Sequence, residues 1–140
     1  MIIADTGFFV ALGNRNDTYH FQAVRIIESL VEPIITTYPV ITETAYLLMK
    51  QSGLQSQISF LEAICTGSFE VFEINQFYLS RIVDLMKRYA DLPMDFADAS
   101  LVALAESLGH GRILTVDNRD FSIYRWSNRN AFQNLLRKSL

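Results

Sequence analysis

Short apolar runs that stop at an acidic residue, set between stretches of helical period, constrain this chain more than any other feature. Ile2-Ile3-Ala4 ends at Asp5, and Ile113-Leu114-Thr115-Val116 ends at Asp117. Runs that are apolar throughout read as strands buried on both faces, the kind found in parallel sheets. Between these two, the pattern predicts a helical turn over Thr6 to Leu12, broken at Gly13. A helix capped by Asp17 or Thr18 follows, carrying Phe21, Val24, Ile26, Ile27 and Leu30. Pro33 ends it, and Ile34-Ile35 form a second strand. A helix from Val40 to Lys50, with Ala45, Leu48 and Met49 on one side, closes at Gly53. Another runs from Ser56 to Cys65 and closes at Gly67. Phe69, Val71, Phe72 and Ile74 give a third strand, and Leu79, Ile82, Val83, Leu85 and Met86 give an amphipathic helix from Phe77 to Tyr89. The most apolar helix spans Asp95 to Leu108, ahead of the strand that ends at Asp117. The last segment, with Phe132, Leu135 and Leu136, fits either a fifth strand or a terminal helix. Strands alternating with helices predict an α/β fold: a central parallel sheet of four or five strands, helices on both faces, and one domain over residues 1–140.

Composition narrows the class. Half of the 140 residues are hydrophobic and 19% are charged, which suits a folded core. No apolar run approaches the roughly 20 residues of a membrane span. The opening Met-Ile-Ile-Ala-Asp lacks the basic start of a signal peptide. The single cysteine, Cys65, excludes an internal disulfide and a cysteine-built zinc site, and it is expected in the core. A cytoplasmic setting fits these features. The net charge of −3 conceals an asymmetry: residues 112–140 hold two acids against six Lys/Arg, and the rest holds thirteen against six. An acidic protein can thus offer a local basic surface to phosphates, although a solvated tail accounts for the same charges.

The acids carry the chemistry. In an open parallel sheet, ligands bind beyond the carboxyl ends of the strands. Asp5 and Asp117 follow strands and so lie on that edge. Glu43, early in the helix after the second strand, starts from it. Asp95 and Asp98 open a helix that runs antiparallel to the following strand, which brings its N-terminus to the same edge. Each acid also has a plain structural use: Asp5 as the cap of the turn at Thr6-Gly7, Asp95 as a helix cap with Asp98 behind it, and Asp117-Asn118 as a turn. Their joint placement is what those uses leave unexplained. Two carboxylates about 4 Å apart repel by about 1 kcal/mol in water and about 4 kcal/mol near a protein surface. Such a cluster calls for a counter-charge, and oxygen ligands suit a hard divalent cation, Mg²⁺ or Mn²⁺. Two such ions can activate water and stabilise the leaving oxygen of a phosphodiester. His20 and His110 do not form a spaced metal pair, and no Gly-rich phosphate loop, nucleophile elbow or zinc motif is present.

Four stretches together resemble the PIN-domain ribonucleases, in particular the VapC-like toxins of bacterial toxin–antitoxin pairs. They are Ile-Ile-Ala-Asp-Thr-Gly at 2–7, with Asp17 and His20 beyond it; Thr-Glu-Thr at 42–44; Leu-Pro-Met-Asp-Phe-Ala-Asp-Ala-Ser-Leu at 92–101; and Ile-Leu-Thr-Val-Asp-Asn-Arg-Asp-Phe at 113–121. The resemblance implies a three-layer α/β/α sandwich and Mg²⁺- or Mn²⁺-dependent hydrolysis of RNA. It implies metal-site roles for Asp5, Glu43, Asp98 and Asp117, with Asp95 and Asp120 as further ligands or supports. It also implies a homodimer and inhibition by a cognate antitoxin protein. Thr6 or Thr115 is expected to orient a carboxylate or water, and Arg119, Arg125 and Arg129 are candidates for positioning the RNA backbone. Asp-Thr-Gly also occurs in aspartic proteases, but those are all-β. A phospho-acceptor receiver would carry a lysine near its last strand, which is not evident here. A fold of the same type that only binds RNA or a protein partner is the non-enzymatic alternative. The intact set of four acids argues against it, because binding alone needs no carboxylate cluster.

Overall fold

The computed structural model describes residues 1–136. The elements run β1 (Ile2–Ala4), α1 (Thr6–Gly13), α2 (His20–Ser29), β2 (Ile34–Thr37), α3 (Tyr38–Ser52), α4 (Leu54–Cys65), β3 (Phe69–Phe72), α5 (Gln76–Arg88) and α6 (Phe96–Leu108). They continue with β4 (Arg112–Leu114), α7 (Asn118–Ile123), β5 (Arg125–Trp126), β6 (Asn130–Ala131) and β7 (Gln133–Asn134). Five strands form one sheet in the order β3-β2-β1-β4-β7, all parallel. Within the final segment Gln133–Asn134 is therefore a strand, and residues 137–140 lie outside the described ones. That strand pairs with β4 through Arg112 opposite Gln133 and Ile113 opposite Asn134.

The strand order fixes the layers. From β1 the chain moves outward to β2 and then β3, and afterwards returns across β1 to β4 and β7. Right-handed crossovers put α1–α4 on one face and α5, α6 and the segment after β4 on the other. The direction of travel reverses between β1 and β4, which are paired neighbours. An α/β sheet opens a crevice at such a reversal, beyond the strands' carboxyl ends.

Both faces of the middle strands are buried, as their unbroken apolar runs require: Ile2, Ile3, Ala4, Ile34, Ile35, Ile113 and Leu114 all lie in the core. Helix α6 is the central inner helix, with Ala97 and Ala99 through Ala105 buried. Its small residues let it lie close to β1 and β2. Buried hydroxyls bind locally: Thr36 donates to the Ala4 carbonyl at 2.9 Å, and Thr37 meets Ser100 at 2.6 Å.

Several sequence expectations are corrected. Cys65 is exposed, because it lies in the last turn of α4 where that helix leaves the core. Asp17 does not cap α2; its carboxylate accepts the Tyr19 N–H in the preceding turn, and α2 begins at His20 without a side-chain cap. Phe21 faces outward while Ala23 and Ile26 face inward. Met49, Leu79 and Val83 are exposed too. β4 ends at Leu114, so Thr115 and Val116 belong to the bend before Asp117. The hairpin β5–β6, absent from the sequence reading, turns at Ser127 and Asn128, both with positive φ (51° and 66°). Two successive residues of this kind give the tight hairpin turn whose twist matches the strands it joins.

Gly7 marks the closest approach of α1 to that bend. A Cβ at Gly7 would overlap Val116 Cγ2, on a side chain stiffened by β-branching. Gly7→Ala is expected to lower stability by about 1–3 kcal/mol in urea unfolding. Adding Val116→Ala should restore most of it; a second change that restores nothing would place the strain elsewhere.

Candidate active site

The bend after β4 and the end of β1 are tied together by one hydroxyl. Thr115 Oγ1 donates to Asp5 Oδ2 at 2.9 Å and accepts the Asp117 backbone N–H at 2.9 Å. The other carboxylate oxygen of Asp5, Oδ1, accepts the N–H of Thr6 at 2.7 Å, so Asp5 caps α1 as the sequence allowed. Asp117 caps α7 by accepting the Asp120 N–H at 3.1 Å, and Asp95 caps α6 by accepting the Asp98 N–H at 2.8 Å. The plain structural use of each of these three acids is therefore real, and it also fixes their placement. Capping holds each carboxylate at a helix N-terminus, where the helix dipole favours negative charge.

The acids converge on one cavity of about 410 Å³ beyond the carboxyl ends of β1 and β4. Its lining includes Asp5, Glu43, Asp95, Asp98, Asp117 and Asp120, together with Thr6. Carboxylate oxygens of Asp98, Asp117 and Asp120 lie within 4.8 Å of one another. The crowding shows in their acidities. Burial, reinforced by Glu43 and Asp117, pushes Asp5 up to about 6 against the pull of its two hydrogen bonds. Burial, with Asp5 and Asp95 nearby, pushes Asp98 up to about 8. Asp120 is also raised, by burial and then by Asp117.

Such a set fits a divalent cation on the chemistry of its donors. All are oxygens, several are close enough to share one ion, and their mutual repulsion is what a cation relieves. Thr6 adds a further sign: the residue lines the cavity, and its hydroxyl is buried with no hydrogen-bond partner among the described residues. An orphaned buried hydroxyl costs free energy unless something in the cavity receives or supplies its bond.

Tyr124 is a site neighbour that sequence reading missed. Its hydroxyl donates to Asp98 Oδ2 at 2.9 Å, and its ring is fully buried between Tyr89 and Phe121, with centroids 5.2 and 5.1 Å away. Nothing in local pattern links it to Asp98, because the contact spans 26 residues. The arginines are dispersed. Arg125 turns its guanidinium onto the Ser122, Ile123 and Tyr124 carbonyls and caps the end of α7. Arg119 is exposed on α7 close to Asp120, and Arg129 is exposed after the β5–β6 turn. His20 holds the Ala11 carbonyl at 2.7 Å and so secures the end of α1.

The 23S rRNA-specific endonuclease VapC20 of Mycobacterium tuberculosis is 26% identical over 122 residues, covering 87% of this chain and 92% of the relative. The crystal structure of M. tuberculosis VapC20, described as a sarcin–ricin loop cleaving toxin, superposes with a TM-score of 0.79 at 24% identity, over 85% of this chain and 92% of that one. A toxin–antitoxin complex from Klebsiella pneumoniae superposes with a TM-score of 0.64 at 19% identity, over 87% and 91% of the two chains. The PIN domain model matches residues 2–126, a span that opens at β1, takes in all six acids of the cavity and ends with β5. On that match, the chain belongs to the PIN domain family.

Proposed function

We propose that this protein is a Mg²⁺- or Mn²⁺-dependent endoribonuclease, the toxin of a VapC-like toxin–antitoxin pair acting in the cytoplasm. The observation that carries the reading is the convergence of Asp5, Glu43, Asp98 and Asp117, from four separate parts of the chain, on one cavity with oxygen donors alone. Kinship with a 23S rRNA-specific endonuclease makes ribosomal RNA the first substrate to try. Likeness to a toxin–antitoxin complex makes a cognate antitoxin the expected partner.

Asp5, Glu43, Asp98 and Asp117 would hold the ion, with Asp95 and Asp120 supporting them. When bound, the cation lowers the pKa of a water and polarises the phosphoryl group. The chain's own groups set the geometry. Thr6 N–H and Thr115 Oγ1 fix both oxygens of Asp5. Tyr124 O–H holds Oδ2 of Asp98 and turns that carboxylate in a set direction. Asp98 carries a proton at neutral pH in the ion-free protein, so ion uptake must release it. Arg119 and Arg129, both exposed, and Arg125 beside them in sequence are the candidates to meet the RNA backbone.

The deciding experiment incubates the protein with single-stranded RNA and with ribosomes, in Mg²⁺ or Mn²⁺, beside an Asp5→Asn protein prepared identically. Cleavage by wild type alone is expected; equal cleavage by both would mean a contaminating nuclease. Water as nucleophile leaves a 5′-phosphate and a 3′-hydroxyl, so mass spectrometry that finds 2′,3′-cyclic phosphate ends would sink the mechanism.

Stability should follow pH in a defined direction. Asp98 titrates near 8 in the folded chain and near 3.8 when unfolded, and Asp5 near 6. The folded state therefore binds the extra protons, and their contribution is full below about pH 4 and lost as pH rises to about 8. Without metal, the melting temperature is expected to fall across that window, and Asp98→Asn should flatten the fall. Asp98→Asn should also be about 1–2 kcal/mol more stable than wild type at pH 8 without metal, and it should lose most of the stabilisation that added Mn²⁺ gives. A variant stabilised by Mn²⁺ as strongly as wild type would remove Asp98 from the ion's ligands. Tyr124→Phe should weaken Mn²⁺ binding several-fold in calorimetry while keeping the fold; unchanged affinity would leave the tyrosine a packing role only.

A further inference from the structure

A second depression, of about 720 Å³, adjoins the acidic cavity and shares Glu43 and Asp95 with it. Its character is different. Tyr38, Tyr46 and Phe96 rim it, 55%, 62% and 44% exposed. Helix geometry puts these rings beside the acids: Tyr46 lies three residues past Glu43 on the same side of α3, and Phe96 directly follows Asp95 at the start of α6. Tyr38 opens α3, and α3 packs on α6.

We propose that this groove holds one unpaired nucleobase next to the scissile phosphate, stacked on the rings of Tyr38, Tyr46 and Phe96. The inference rests on the ribonuclease reading and names what that site grips beyond the phosphodiester. Charge selects the occupant. No Lys or Arg lines the groove and two carboxylates do, so a phosphate is repelled while an uncharged aromatic base is not. Outside the lining, Lys50 Nζ lies 6.0 Å from the centre of the Tyr46 ring. Single-stranded RNA is commonly held in this way, with bases splayed onto aromatic faces and phosphates on cations. Continuity with the acidic cavity decides between a base and an apolar peptide, because a nucleotide flanking the cleaved bond has to lie within reach of the acids.

The test uses an RNA oligonucleotide that the wild-type protein cleaves. Each nucleotide on either side of the cut is replaced in turn by an abasic one, and Tyr38→Ala, Tyr46→Ala and Phe96→Ala are compared with Tyr38→Phe and Tyr46→Phe. One abasic position beside the cut should lower kcat/KM by about fivefold or more, as loss of a stacked base does. The alanine variants should show a similar loss on intact RNA and little further loss on that abasic RNA, and the phenylalanine variants should cleave like wild type. Alanine variants as active as wild type, or no sensitive position, would overturn the stacking site alone. Alanine variants that keep full cleavage but dissociate a dimer in sedimentation would assign the groove to a second copy of the chain and likewise overturn it. A wild-type protein that cleaves no RNA would bring down the ribonuclease reading, and this inference with it.

Discussion

Like-charge repulsion among carboxylates governs the arrangement at the carboxyl end of this sheet. Six acids share one cavity, and two of them titrate well above the ordinary carboxylate range. Left to itself, such a cluster would push α1, α6 and α7 apart. What holds it is a set of short bonds in which three of the acids also serve their own segments: Asp5, Asp95 and Asp117 each cap the helix that follows. The Thr115 hydroxyl couples Asp5 to the backbone of Asp117 across the β1–β4 reversal. Remaining strain is met by protonation or by a cation, and these are alternatives.

The apolar skeleton explains why the cluster can be placed so closely. β1 and β4 are only three residues long, but both are buried on both faces and paired to each other. α6 brings Asp98 to the rim on a helix whose buried side alternates alanines with Leu101, Val102 and Leu104. Small residues there permit close packing, and close packing is what removes water from the carboxylates. Burial is the largest cause of every upward shift among the acids.

Much of this was legible in the sequence, for local reasons. Ile2-Ile3-Ala4-Asp5 is at once a strand and its terminal acid, so the run and the site are read together. The order of strands and helices gave the parallel sheet, and direction of travel then carried Glu43, Asp95 and Asp98 to the same edge. What stayed hidden depends on distant or paired contacts. Tyr124 meets Asp98 only after the chain has rounded β4 and α7. The β5–β6 turn relies on Ser127 and Asn128 in left-handed conformations, and its fastening lies elsewhere: Arg81 and Arg88 donate to Asn128, and Glu106 accepts the Ser127 N–H. Arg125 is a phosphate candidate by charge, and the three carbonyls that its Nη1 holds could not be read from charge. Cys65 looked like core by residue type, and the end of α4 carries it outward. Periodicity reports which side of an element is apolar, but not where that element parts from its neighbours.

The Asp5–Thr115 bond joins residues 110 positions apart. Asp5 therefore emerges from a ribosome long before the residue that holds its second oxygen. Until Thr115 is clear of the exit tunnel, β1 has no β4 beside it and Asp5 keeps the single donor of Thr6. Tyr124 follows later still. The charge cluster is thus assembled only after β1 to β3 and α1 to α6, most of the core that must contain it, have already emerged.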